Sequence, residues 1–165
     1  MSAKALDIDL IYVFFDAANM DRWNDHVKPL SLTELDKQAH KAAIAWYLGK
    51  WEESQGNKVD WRAIIEGGIF SFIQRAILTD LKPPLFHIIK KEKADEVNDY
   101  VISEFRRIVP NVNPSFTDRL EAYLRKDDRK SLESHVVRAA HYLATKWEFD
   151  FIYDVNRFIY GIERT

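Results

Sequence analysis

Apolar residues recur at three- and four-residue intervals along almost the whole chain, and strict alternation over the length of a strand is hard to find. That pattern predicts an all-α protein of about six helices. Residues 10–20 (LIYVFFDAANM) form a first helix, although so continuous an apolar run also fits a buried strand. A polar stretch from Asp21 to Ser31 carries Pro29 and breaks the pattern. Thr33, with Asp36 three residues on, then makes a capping-box start for a second helix running to Ser54. Gln55-Gly56-Asn57 ends it. Asp60 opens a third helix from Trp61 to Leu81, which Pro83-Pro84 stops. Further helices are expected over residues 93–109, 116–125 and 132–159, with the polar run 126–130 as the turn between the last two.

Two local features complicate this picture. Gly67-Gly68 lies inside the third helix, where each glycine costs roughly 1 kcal/mol relative to alanine. Close helix–helix packing explains such a pair, and a local break beside a pocket is the alternative. The aromatic groups Trp46, Tyr47, Trp51 and Trp147, Phe149, Phe151, Tyr153 are expected in the core and helix-packing surface, or secondarily in a dimer interface.

Composition narrows the function classes. A chain of 165 residues, 47% of them hydrophobic, can bury one substantial core, so a single domain spanning residues 1–165 is expected. Its 24 basic and 26 acidic side chains give a formal charge of -2, which offers no footprint for a nucleic-acid backbone. The lack of cysteine excludes a disulfide framework and a thiolate metal site, and suits a reducing compartment. Residues 1–9 carry Lys4, Asp7 and Asp9 with no long apolar run, so neither a signal peptide nor a membrane span is expected. A cytoplasmic location follows as the expectation. No phosphate-cradling glycine loop, nucleophile elbow or Walker lysine is present in the sequence. His26, His87, His135 and His141 have no metal-ligand spacing.

Four short patterns fall in a telling order. They are Arg22-Trp23, His40 in LDKQAHKAAIA, the segment IIEGGIFSFIQRAILTDLKPP, and Asp118 in TDRLEAYL. In this order, over residues 19–153, the chain resembles the HD-domain phosphohydrolase superfamily, and within it the YfbR-like 5′-deoxynucleotidase branch. The resemblance implies a helical bundle, a homodimer, and a divalent transition metal held by histidines and aspartates. It places His40 at the first metal histidine, Asp118 at the last metal aspartate, and Arg22 and Trp23 in the substrate pocket. Matching Leu78-Thr79-Asp80 to the end of the family's His-Asp helix puts Ser71 and Phe72 on the His-Asp pair and Arg75 on a downstream glutamate.

Those replacements change the chemistry. A phenyl ring has no lone pair, and a neutral hydroxyl is a poor ligand for a transition ion. Two of the four implied ligands are gone, and with them the Lewis acid that activates water and steadies charge on phosphate oxygens. Arg75 lies about 40° round the helix from Ser71, one turn along. A guanidinium there is expected to fill the space of the ion and pair with Asp118 or Asp80, because an unpaired buried carboxylate is costly. Bland readings stand beside these. Arg22 and Trp23 stack and cover a loop, Asp118 is a helix-start carboxylate, Asp80 is turn chemistry, and His40 is a core histidine. The expected function is a degenerate HD-like protein with no catalytic residue, no bound metal and no cofactor, which binds a nucleotide or phosphate-containing small molecule or serves as an interaction module. The alternative is an active metal-dependent nucleotidase using His40, Asp118 and Asp80 or Glu66.

Overall fold

Helix starts follow the local chemistry closely. Thr33 accepts a hydrogen bond from the Asp36 amide at 3.2 Å while the Asp36 carboxylate accepts one from the Thr33 amide at 2.9 Å, closing a reciprocal capping box. Asp60 Oδ1 likewise accepts from the Ala63 amide at 3.1 Å. The computed structural model describes residues 7–78, 83–125 and 130–156. Among them are seven α-helices: α1 (Ile8–Asp16), α2 (Glu34–Ser54), α3 (Trp61–Ile77), α4 (Pro83–Glu92), α5 (Ala94–Ile108), α6 (Pro114–Arg125) and α7 (Leu132–Asn156). A 3₁₀ turn, Ala17–Asn19, follows α1, where the sequence reading continued the helix to Met20.

The unexpected element is α4. From the sequence, Pro83-Pro84 is expected only as a stop. Proline lacks just the N–H that a first-turn residue leaves unused, so the same pair also begins a new helix. The helix expected over 116–125 starts earlier, at Pro114, for the same reason. The third helix ends at Ile77, with Leu78 in a turn, short of the expected Leu81, and the expected end of the last helix at Ile159 lies outside the described residues.

The chain divides into two compact units. The first takes Met1–Asp16 and Ile69–Asp127, the second Ala17–Gly68 and Asp128–Thr165, so one boundary falls inside α3 beside the paired glycines.

In the first unit the buried face of α5 repeats as Val97, Asn98, Val101, Ile102 and Phe105. Val97 and Val101 pack with Leu78, Ile77, Ile89 and Leu124. Aromatic rings fill the rest. Phe14 stacks on Phe72 at 5.4 Å, and Phe116 lies edge-on to Phe70 at 5.3 Å and beside Phe105 at 6.0 Å.

The second unit is built on α2 against α7. The buried stripe of α2 is Glu34, Lys37, Lys41, Ala45 and Gly49, and that of α7 includes Ala140, Ala144, Glu148, Ile152 and Asn156 at every fourth residue. One half of this seam is small and apolar: Ala45, Ile64, Val136, Val137 and Ala140 cluster together. The other half is charged.

This arrangement overturns the expectation that the α2 aromatics are core. Trp46, Tyr47 and Trp51 are 59%, 63% and 51% exposed, and Trp147 and Phe151 are also exposed. Close approach to α7 at Ala45 and Gly49 admits small side chains and excludes bulky ones, so the indoles point outward, while in the charged half of the seam Lys37 and Lys41 point in. Phe149 and Tyr153 do pack inward, against Leu32 and Ile152.

Gly49 shows how tight the small half is. A Cβ there would lie 2.6 Å from the Trp61 ring, whose indole donates to Glu53 at 2.6 Å and lies under the Lys50 ammonium. Gly49→Ala gains helix propensity but must dislodge a held ring, so a net loss of about 1–2 kcal/mol is expected. A urea titration following tryptophan fluorescence checks this, and an unchanged or higher midpoint would show that the ring moves freely.

Candidate functional site

The loop before α2 is fastened at both ends. Arg22 N donates to Leu32 O at 2.8 Å and Glu34 N to Met20 O at 2.9 Å, around an isolated bridge between Asp21 and Thr33. Inside it Trp23 adopts φ +57°, a left-handed conformation that is uncommon for a bulky residue and costs of order 1–3 kcal/mol. The surrounding bonds account for its persistence. The Trp23 indole donates to Glu148 Oε2 at 3.0 Å. Arg22 spends its whole fork nearby: Nε at 3.0 and 3.1 Å and Nη2 at 2.8 Å on Glu148, and Nη1 at 2.7 Å on Glu34. Asn156 closes the layer below, donating to Val27 O at 2.7 Å and accepting from Val27 N at 3.0 Å.

Glu148 is 0% exposed and Glu34 3%, and beside them on the next turns of α2 lie Lys37, 5% exposed, and Lys41, 3% exposed. Lys41 donates at long range to Gln38 Oε1, 3.3 Å, and to the Gly68 carbonyl, 3.4 Å. Burial opposes the ionised form of Glu34, but Arg22 and Lys37 outweigh it and hold the carboxyl below its ordinary range. Burial also opposes the Arg22 charge, and the bonds to both glutamates more than restore it. The lysines fare differently. Burial and the Arg22 charge push Lys37 down to about 8 against the pull of Glu34 and Glu148, and burial takes Lys41 to about 8 as well. On α7, His141 is exposed as a residue, yet packing about its ring and the charges of Lys37, Lys41 and Arg22 push the imidazole down to about 3. Solvent at its outer edge screens part of this effect, and the ring is neutral at pH 7 in either case.

The residues picked from the sequence fall in both units. Arg22, Trp23 and His40 belong to the second. Arg22 and Trp23 form the layer just described, whereas His40 is exposed on the outer face of α2, edge-on to Trp147 at 4.8 Å, and is not a core histidine. Glu66 pairs with Arg62 at 3.0 Å. Ser71, Phe72, Arg75 and Asp118 belong to the first unit. Phe72 is 3% exposed against Phe14, and the Ser71 hydroxyl is hydrogen-bonded to the Tyr123 phenol, whose pKa burial raises. Arg75 is half-buried on α3. Asp118 is exposed on the second turn of α6, past the helix start because α6 begins at Pro114, and in water its carboxylate needs no buried cation. Asp80 lies outside the described residues, so the expected Arg75–Asp80 pair does too.

This donor set does not fit the divalent ion that the resemblance implies. Phe72 offers no lone pair and sits in aromatic packing, the Ser71 hydroxyl is engaged, and Asp118 faces water. Among the described residues no three His, Asp or Glu side chains converge as metal ligands. A groove in the first unit has an apolar floor of Ile77, Leu78, Ile89 and Val97, with Tyr100 and the Lys93–Glu96 ion pair, 3.0 Å, also lining it. No helix among the described residues is long and apolar enough to cross a membrane.

Comparison with known proteins agrees with the helical architecture. No family profile matches the chain, and no curated protein sequence is recognisably similar to it. A solved structure is: the crystal structure of an HD-domain phosphohydrolase from Listeria innocua superposes with a TM-score of 0.65 at 17% identity, over 88% of this chain and 70% of that one. A likeness at that identity establishes the architecture alone. The chain has the all-helical HD-domain fold.

Proposed function

We propose that this protein is a degenerate member of the HD-domain group, related to the YfbR-like branch, in which metal-dependent phosphoester hydrolysis has been lost and binding of a nucleotide or other phosphate-containing small molecule remains. The observation that carries this reading is Phe72, stacked on Phe14 and almost sealed from water at the position the resemblance gives to a metal-binding aspartate. Restoring a carboxylate there would bury an unpaired charge in an aromatic core. The chain acts as one domain in a cytoplasmic homodimer, and the exposed aromatics of α2 and α7 support a partner copy.

One preparation tests the reading. Purified protein is expected to carry no stoichiometric transition metal, to release no phosphate from nucleoside monophosphates with added manganese or cobalt, and to sediment as a dimer. A nucleotide is expected to raise the melting temperature by mass action. Bound metal, with turnover lost in His40→Ala, would establish the active nucleotidase instead.

A further inference from the structure

A surface helix ordinarily turns one apolar stripe toward its core, but α7 carries two. The buried stripe, Ala140, Ala144, Glu148, Ile152 and Asn156, packs on α2. One residue before each of these stand Ala139, Leu143, Trp147, Phe151 and Val155, a second row that is apolar and exposed at all five positions. The last four are 43%, 41%, 40% and 48% exposed. Trp147 holds the middle, edge-on to Phe151 at 4.7 Å and to His40 of α2 at 4.8 Å. From His40 the patch continues along α2, because Tyr47 and Trp51 follow it at seven and eleven residues and so share its side of that helix. The neighbouring outward row of α7 is polar, and its Lys146 and Asp150 neutralise each other at 2.8 Å.

The size of the patch points to a stable partner. At roughly 150–250 Å² for a whole aromatic side chain, the exposed parts of Tyr47, Trp51, Trp147 and Phe151 come to about 400 Å², before Leu143 and Val155 are added. A homodimer interface of ordinary size covers about 800 Å² of each copy, of which about 65% is apolar. The patch matches that apolar core. Its shape points to a second copy of this chain. A row at every fourth residue is a ridge of the kind that packs into the grooves of another helix. This one is symmetric in bulk about Trp147, with Leu143 and Phe151 on either side and the small Ala139 and Val155 at the ends.

We infer that this row, with His40, Tyr47 and Trp51 beside it, is the surface on which a second copy docks, α7 against antiparallel α7 across a two-fold axis at Trp147. The inference rests on the homodimer reading above and gives that dimer its interface. A two-fold axis makes the same patch face itself. Leu143 of one copy then lies toward Phe151 of the other, and Ala139 toward Val155, so bulk meets bulk and the narrow ends meet. Trp46 lies about 240° round α2 from His40 and stays outside the contact.

Sedimentation equilibrium of the full chain, with circular dichroism to follow helix content, tests the assignment. Wild type is expected to be dimeric, Trp147→Glu to self-associate at least about thirtyfold more weakly, and Trp46→Glu to match wild type. Position 147 faces itself across the axis. Equal parts of Trp147→Glu and Trp147→Lys should therefore restore a dimer that neither forms alone. Phe151→Glu, one turn along, repeats the measurement should Trp147→Glu lose helix. A dimeric Trp147→Glu with native helix content leaves the dimer reading standing and removes this surface from it. A wild type that is monomeric at every concentration overturns both. Glutamate and lysine variants that stay apart when mixed refute the two-fold contact.

Discussion

Replacing Glu148 with alanine is expected to destabilise the protein by about 3–5 kcal/mol, the range for breaking a buried ion pair from one side. The carboxylate is fully buried and accepts from Arg22 through two nitrogens and from the Trp23 indole. Without it Arg22 keeps only Glu34, Lys37 loses a countercharge, and Trp23 loses the side-chain bond that helps hold it at φ +57°. For a chain of this size the melting temperature should fall by roughly 2–4 °C for each kcal/mol. Glu148→Gln keeps the shape and one acceptor and should fall less far. Removing both charges, as Arg22→Met with Glu148→Leu, should cost less than Glu148→Ala alone, since a matched apolar pair strands fewer ions. Calorimetry of the three variants decides the matter. A drop of under about 1 kcal/mol for Glu148→Ala would mean that the layer is wet and the ion pair ornamental.

Raising the pH from 7.5 to 9.5 in phosphate-free buffer is expected to stabilise the fold. Lys37 and Lys41 hold protons to about 8 in the folded chain, against an ordinary 10.5. Between those values the unfolded chain binds more protons, so stability rises with pH across the window and is lowest below it. The gain is about 2–4 kcal/mol, of which the first proton accounts for most. Once one lysine is neutral, Arg22 and the other lysine balance Glu34 and Glu148, and the second proton is held more tightly. His141 is already neutral throughout. Lys37→Met should be the more stable protein at pH 7.5 and should show a smaller rise. Urea midpoints at the two pH values read this directly, and a wild-type midpoint that falls on going to pH 9.5 while Lys37→Met holds steady would refute the account.

Local chemistry was readable along the chain. Thr33 with Asp36, and Asp60 before α3, fix helix starts through bonds within four residues, so both starts are legible in the sequence. Arg22 and Trp23 also stand out in the sequence as a pair, but the partner that fixes their place in the fold, Glu148, lies 126 residues from Arg22. The facing of α2 was not readable locally. Its aromatics and its lysines both recur at helical spacing, and only α7, which brings Ala140, Ala144 and Glu148 to the seam, decides which set turns inward. The stripe Glu34, Lys37, Lys41, Ala45, Gly49 did hold a clue, since glycine and alanine mark where two helices meet most closely. In the first unit, Ser71 and Phe72 were singled out for what they lack, and their positive role in packing with Tyr123 and Phe14 emerges only from the fold.

The two halves of the α2–α7 seam respond oppositely to warming. Around Ala45, Val136 and Ala140, attraction depends on water released from hydrocarbon, and that contribution levels off as the temperature climbs. Around Arg22, Glu34 and Glu148, the main penalty is stripping hydration from ions, and heat diminishes it. The ionic end therefore tightens, relative to the greasy end, as the solution is heated. Exposing those polar groups on unfolding also lowers the heat-capacity increment, which broadens the range of temperatures over which the helix pair stays closed.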